Sequence, residues 1–180
     1  FYQSLSQLDV SAARTPSESK FLRALNDYRT LCGLVAERGG TILAPEVGTQ
    51  LALCPDLFGK ILAPSTKKQV SLAEEMKVLY NSANVCTDFL PLLDALDAHM
   101  NNYSLILLLD YRGTRLLLPG DTNLAGYDGI APADLRAALF KIGHHGQRDG
   151  ADVALADAIR PDAVVCCASS DRRYNSAHPD

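Results

Sequence analysis

Two apolar runs in the second half of this chain break off in side chains that bind metals. That pairing constrains the fold more than any other feature. The first run, Thr114-Arg-Leu-Leu-Leu-Pro-Gly, ends in Asp121. The second, Ala138-Leu-Phe-Lys-Ile-Gly, ends in His144 and His145. Short apolar runs bounded by Gly or Pro read as strands. A strand that stops in Asp or His carries that side chain to the rim of a sheet, where ligands bind in α/β proteins. Carboxylate with imidazole is also the donor mix that suits Zn, Mn or Fe.

The remaining pattern supplies helices around such a sheet. Thr15-Pro16-Ser17-Glu18 is a helix start, with a cap, a proline at the first position and an acid at the third. Phe21, Leu25, Tyr28, Cys32 and Val35 then mark one helical face, and Gly39-Gly40 ends it, so the helix and its linker occupy 15–38. Thr41-Ile-Leu-Ala-Pro, Gln50-Leu-Ala-Leu-Cys and Phe58-Gly-Lys-Ile-Leu-Ala-Pro read as short strands. Ser71-Leu-Ala-Glu74 predicts a second capped helix running through about Ser82. Thr87-Asp88 opens a third stretch to about Met100, with Phe89, Leu92, Leu93 and Leu96 as its apolar stripe. Residues 65–100 therefore read as a helical insertion or lid. Ser104-Leu-Ile-Leu-Leu-Leu-Asp is apolar on both faces, as a central strand is. Asp149 is placed to cap a helix through Ile159, and Ala163 to Ala168 forms the last strand. Pattern alone gives an α/β fold with a central sheet.

Composition bounds the possibilities. At 180 residues and 47% apolar, the chain can bury one core. No apolar run approaches the roughly 18 residues of a membrane helix. A net charge of −4 lacks the basic surplus of nucleic-acid binders. Bound divalent ions would add charge that this count misses, so a phosphate-bearing substrate is permitted rather than indicated. The five cysteines (Cys32, Cys54, Cys86, Cys166, Cys167) contain no C-x-x-C pair. They read as buried structural thiols in a reduced, cytoplasmic setting. The start, Phe1-Tyr-Gln-Ser-Leu, has neither Met nor a signal-peptide pattern and reads as the middle of a longer protein.

Four segments carry a resemblance. In order they are Asn101-Asn102-Tyr-Ser-Leu-Ile-Leu-Leu-Leu, Leu118-Pro-Gly-Asp121, Phe140-Lys-Ile-Gly-His144-His145-Gly, and Tyr174-Asn-Ser-Ala-His178-Pro. Together they resemble the C-terminal half of the metallo-β-lactamase superfamily, in its ComEC-like branch. Those proteins read N-x-S-L-V-L, then G-D, then K-x-x-H-H-G-S, then N-x-x-x-H-P. The resemblance covers roughly residues 39–180. It implies an αββα sandwich, incomplete and mainly the C-terminal half, with residues 101–180 as its metal-site part. The whole chain, 1–180, is then one partial domain. The superfamily's H-x-H-x-D-H hallmark is not here, because the only histidines are His99, His144, His145 and His178. Gln147 stands where the branch has Ser.

The resemblance also implies roles. Asp121 would bridge two divalent ions, Zn or Mn, and His145 would be a ligand. Read by itself, Asp121 is equally a turn cap. His144 would be the proton donor beside the substrate phosphate, since adjacent residues at a strand end point apart. Asn102 would be a further ligand where other members have His, and an amide oxygen tilts the site toward Mn. The bland alternative for Asn101-Asn102 is a helix end. His178 would help line the catalytic pocket, with Asn175 and Lys141 toward the substrate, although a lysine stem on a strand can simply cover the sheet. His99 reads as an ordinary surface residue.

The expected function is metal-dependent hydrolysis of a phosphodiester, as a phosphodiesterase or nuclease, in the complete protein. The partners would be a phosphate-containing substrate, nucleic acid included, and the missing N-terminal half of the domain. The 180 residues alone carry too few ligands to be active. The competing expectation is a lactamase-like module that has lost its metal and serves as a scaffold. Hydrolysis of thioesters or lactones is a third, since the same fold hosts it.

Overall fold

The computed structural model describes residues 6–44, 46–85, 88–168 and 176–177. His178, Asn175 and Cys86 lie outside the described residues. The chain divides into two compact units, Phe1–Ala44 with Val70–His99, and Pro45–Gln69 with Met100–Asp180.

The first unit is helical. Helix α1 (Pro16–Glu37) begins at the expected capping box: Thr15 Oγ1 accepts from Glu18 N at 3.2 Å, and Glu18 Oε2 accepts from Thr15 N at 2.8 Å. Its buried positions are Leu22, Leu25 and Cys32, so the core stripe is rotated from the expected one and Tyr28 is 49% exposed. Helix α2 (Thr66–Asn84) starts five residues earlier than its S-x-x-E pattern predicts. Pro64 cannot extend the preceding strand. Ser65 then takes over as cap, its Oγ accepting from Lys68 N at 3.3 Å. Ser71 is left inside the helix, and its hydroxyl donates to Glu75 Oε1. Helix α3 (Leu90–His99) buries Leu90, Leu93 and Leu96.

The second unit is built on one six-stranded mixed sheet, ordered as the strands occur. They are β1 (Gln50–Cys54), β2 (Leu57–Ala63), β3 (Ile106–Tyr111), β4 (Thr114–Leu118), β5 (Leu139–Lys141) and β6 (Ala163–Val165). The first three pairings are antiparallel and the last two parallel. The β3–β4 hairpin turns on Arg112 and Gly113, both at positive φ, the pattern of a tight two-residue turn. Thr41–Ala44 is not a strand. Its β-propensity finds no partner to ladder with, and Leu43 is 73% exposed.

Register sorts the strand residues onto two faces. Leu62, Ile106, Leu108, Leu117 and Phe140 are buried with Leu135 of α4 (Pro132–Leu135) and Leu155 and Ile159 of α5 (Val153–Ile159). Leu107, Leu109, Leu116, Leu118 and Leu139 share the opposite face and are half-buried. Helix α5 is capped by Asp152, whose Oδ1 accepts from Leu155 N at 2.7 Å, and not by Asp149. The expectation of buried thiols holds for Cys32 only; Cys54, Cys166 and Cys167 are exposed, because β1 and β6 are the edge strands. Among the described residues, no helix is long and apolar enough to cross a membrane.

The Glu18 cap makes a prediction. Burial alone would raise its carboxyl, but the N–H groups of Arg14 and Thr15 and the Arg14 guanidinium outweigh it and hold it below the usual range. A carboxylate lowered in the folded state stabilises above its unfolded value of about 4.3, and loses that as pH falls through the folded value. Glu18→Gln should therefore lower the melting temperature at pH 7. The gap to wild type should close below about pH 4. Circular-dichroism melts across that range check it, and a gap of constant size would show that the charge contributes nothing.

Candidate functional site at the sheet rim

Strand β4 leaves the sheet through Pro119 and Gly120. Gly120 takes φ +63, and Thr122, fully buried, closes the turn by donating from Oγ1 to Pro119 O at 2.6 Å. Asp121 stands on the outside of this turn. The helical turn that follows (Leu124–Tyr127) has Asn123 at its N-cap, with no side-chain cap bond. Asp121 is therefore not spent on capping it.

Strand β5 leaves through Ile142 and Gly143 into a turn at His144–Gly146. All three of its residues are left-handed, at φ +43, +54 and +69. This turn, rather than strand alternation, is what sends the two imidazoles apart. The backbone there is tightly seated. A methyl on Gly143 would collide with the carbonyls of Thr122 and Gly150, and one on Gly146 would collide with Cys166 Sγ.

The structure brings His145 and Asp121 together. His145 Nε2 lies 3.3 Å from Asp121 Oδ2, and both side chains are about half exposed. The other ring nitrogen, Nδ1, lies 2.7 Å from Cys167 O. A carbonyl only accepts, so Nδ1 carries the hydrogen. In the neutral ring the Nε2 lone pair then points at a carboxylate oxygen, an arrangement that asks for a cation between them. A ring N–H held by a backbone carbonyl is also the usual support of a metal-binding imidazole.

Lys141, on β5, sends its ammonium to the same place. Nζ donates to Gly120 O at 2.9 Å and lies 3.8 Å from Asp121 Oδ1. Its charge, and not only its stem, is engaged.

His144 faces elsewhere. Its Nδ1 donates to Asp149 Oδ1 at 3.1 Å, and its Nε2 accepts from Asn101 Nδ2 at 3.2 Å and Gln147 Nε2 at 3.0 Å. Asn102 sits in the turn before β3, its Oδ1 buried and without a protein hydrogen-bond partner. Near His178, Ala177 N donates to His145 O at 3.0 Å. Among the described residues, no group of three or more His, Cys, Asp or Glu side chains is placed to hold a metal ion. Asp121 and His145 are a converging pair, with a buried, unpartnered amide oxygen on Asn102. A groove of about 430 Å³ adjoins the loop, between Gln147 and Arg148 on one side and Val153 and Ala156 on the other.

Sequence reasoning missed three members of this arrangement. Asp149 was assigned to a helix cap because two acids, Asp149 and Asp152, precede α5, and nothing local says which one caps. Asn101 stood in the shadow of Asn102. The Cys167 carbonyl is backbone, and no side-chain pattern encodes it.

No family model matches the chain. It is similar to ComE operon protein 3 of Bacillus subtilis (strain 168), at 26% identity over 83 residues. That stretch covers 45% of this chain and 11% of that protein, so the chain spans about a tenth of the relative's length.

The packing of Gly143 is directly testable. Gly143→Ala should cost about 1–3 kcal/mol, as overpacking against a fixed backbone does. Gly33, inside α1 with nothing within 4 Å of a new methyl, is the internal control. Gly33→Ala should raise stability by about 0.5–1 kcal/mol. Urea denaturation of both forms gives the two signs, and equal signs would refute the tight seating of the loop.

Proposed function

We propose that this chain is the metal-site half of a metallo-β-lactamase-like αββα domain, and that the complete protein is a metal-dependent phosphodiesterase or nuclease. One observation carries the reading. His145 Nε2 and Asp121 Oδ2 converge at the sheet rim while Nδ1 is pinned to Cys167 O. The motif order 101–180 and the partial similarity to ComE operon protein 3 support it.

In this reading Asp121 and His145 hold the ion, Asn102 Oδ1 is the third donor available from this chain, and the remaining donors come from outside the described residues. A bound divalent ion, Zn or Mn, supplies Lewis acidity and an acidified water. The chain's own residues do the rest. Asp149 holds the Nδ1–H of His144, which orients the ring and supports its cationic form. Nε2 is then the atom that gives a proton to a leaving oxygen. The amides of Asn101 and Gln147 mark where that oxygen is received.

The Lys141–Asp121 contact supports a second reading. An ammonium already compensates the carboxylate, as a metal-free scaffold module would require.

Mn titration of the chelated full-length protein separates the two. On the enzyme reading Mn restores hydrolysis of a generic phosphodiester, and Asp121→Ala and His145→Ala lose both binding and turnover. His144→Ala keeps the ion and loses about 10²–10⁴ in kcat. With an oxygen donor at Asn102, Mn should outperform Zn in activity, and Asn102→His should reverse that order. Absence of Mn binding and of turnover in wild type supports the scaffold.

A further inference from the structure

We propose that the Lys141 ammonium takes the place of a second cation at this rim, so that the site holds one divalent ion per chain and not two. The inference rests on the metal reading above and sharpens it. The two oxygens of Asp121 face different partners. Oδ2 faces His145 Nε2 at 3.3 Å, and Oδ1 faces Lys141 Nζ at 3.8 Å. A carboxylate that bridges two ions gives one oxygen to each. Here one of those oxygens already has a cation of the chain's own beside it.

Lys141 is seated rather than free-swinging. Its side chain is 20% exposed, against 45% for Asp121. Nζ donates at 2.9 Å to Gly120 O, the carbonyl immediately before Asp121. Gly120 is itself confined: its φ is +63, and a methyl there would sit against Ser104 and the Leu105 carbonyl. Carbonyl and carboxylate thus make a two-point seat for one ammonium.

A second ion on Oδ1 would bind at about 2.0–2.2 Å. It would stand a few ångströms from a fixed positive charge in a half-buried place, where repulsion is weakly screened. It could enter only if Lys141 left Gly120 O. The seat also selects the oxygen that the single ion uses, namely Oδ2 on the His145 side. Lys141 is then a positioning residue and countercharge, and has no need to touch substrate.

The test is a count. The full-length protein is stripped with chelator and titrated with Mn²⁺ alone. Stoichiometry is read by calorimetry and native mass spectrometry, and the electron paramagnetic resonance spectrum distinguishes an isolated ion from a coupled pair. Wild type should bind one Mn²⁺ with an isolated-ion spectrum. Lys141→Met keeps the apolar stem without the charge, and should admit a second Mn²⁺ with at least about 10-fold higher affinity than wild type shows for it, giving a coupled spectrum. Lys141→Gln is the second charge-free form should Lys141→Met not fold, and Lys141→Arg should stay at one. Two ions in wild type, or one ion in a folded charge-free form, would overturn this proposal and leave the metal reading standing. No Mn²⁺ on any form would overturn both.

Discussion

The hydrogen bond from His145 Nδ1 to the Cys167 carbonyl ties a strained turn to the edge of the sheet. His144 and His145 both sit in the left-handed region, which costs a non-glycine residue about 1–2 kcal/mol. Strain of that kind persists only where surrounding contacts over-determine it. Here Gly146 N bonds to Gly143 O and Gln147 N to His144 O, while Ala177 N and Cys166 Sγ both reach His145 O. The Cys167 carbonyl is where it is because β6 pairs with β5 and Ile142 N adds one more rung to Val165 O. The ring tautomer of His145 is therefore a consequence of strand pairing at the sheet edge.

That edge belongs to a sheet with apolar residues on both sides. One side is closed by α4 and α5 around Phe140 and Leu117. The other presents Leu107, Leu109, Leu116, Leu118 and Leu139, half-buried. A sheet apolar on both faces is the middle layer of a sandwich in the usual architectures. It is the strongest support from packing for reading this unit as part of a layered α/β domain. The same property explains why Ser104–Asp110 shows no alternation.

Where a local rule had one solution, the sequence was legible. Thr15-Pro-Ser-Glu18 could only start a helix, and Arg112-Gly113 between two apolar runs could only turn a hairpin. The runs ending in Asp121 and His144-His145 placed these side chains at a strand end without any knowledge of packing. Where two residues competed for one role, local reasoning failed. Ser71 resembled a cap as well as Ser65 did, and Asp149 as well as Asp152; the choice was made by Pro64 and by the His144 loop. The cysteines of β6 looked buried because their run is apolar, yet an edge strand exposes such a run. The partners of the two imidazoles were invisible because they include a backbone carbonyl and residues 22 and 43 positions away.

The division between what shapes the rim and what charges it has a consequence for how the site works. Asp121 and His145 are about half exposed, and ion pairs at such exposure are worth about 0–1 kcal/mol. They cannot be what holds the loop. The holding is done by backbone bonds and by the close seating of Gly143, Thr122 and Gly150. Two electron-rich atoms, Nε2 and Oδ2, are thus pressed together by a frame that does not depend on their attraction. Without a proton or metal ion between them, that approach is unfavourable, and the frame bears the cost. A cation entering there relieves a repulsion already built in, and needs no rearrangement to do so. This is preorganisation in the sense that matters for binding: the ordering is complete before the ligand arrives. It also means that the charges can be exchanged one at a time while the loop stays in place, which separates the chemistry of the site from the stability of the fold.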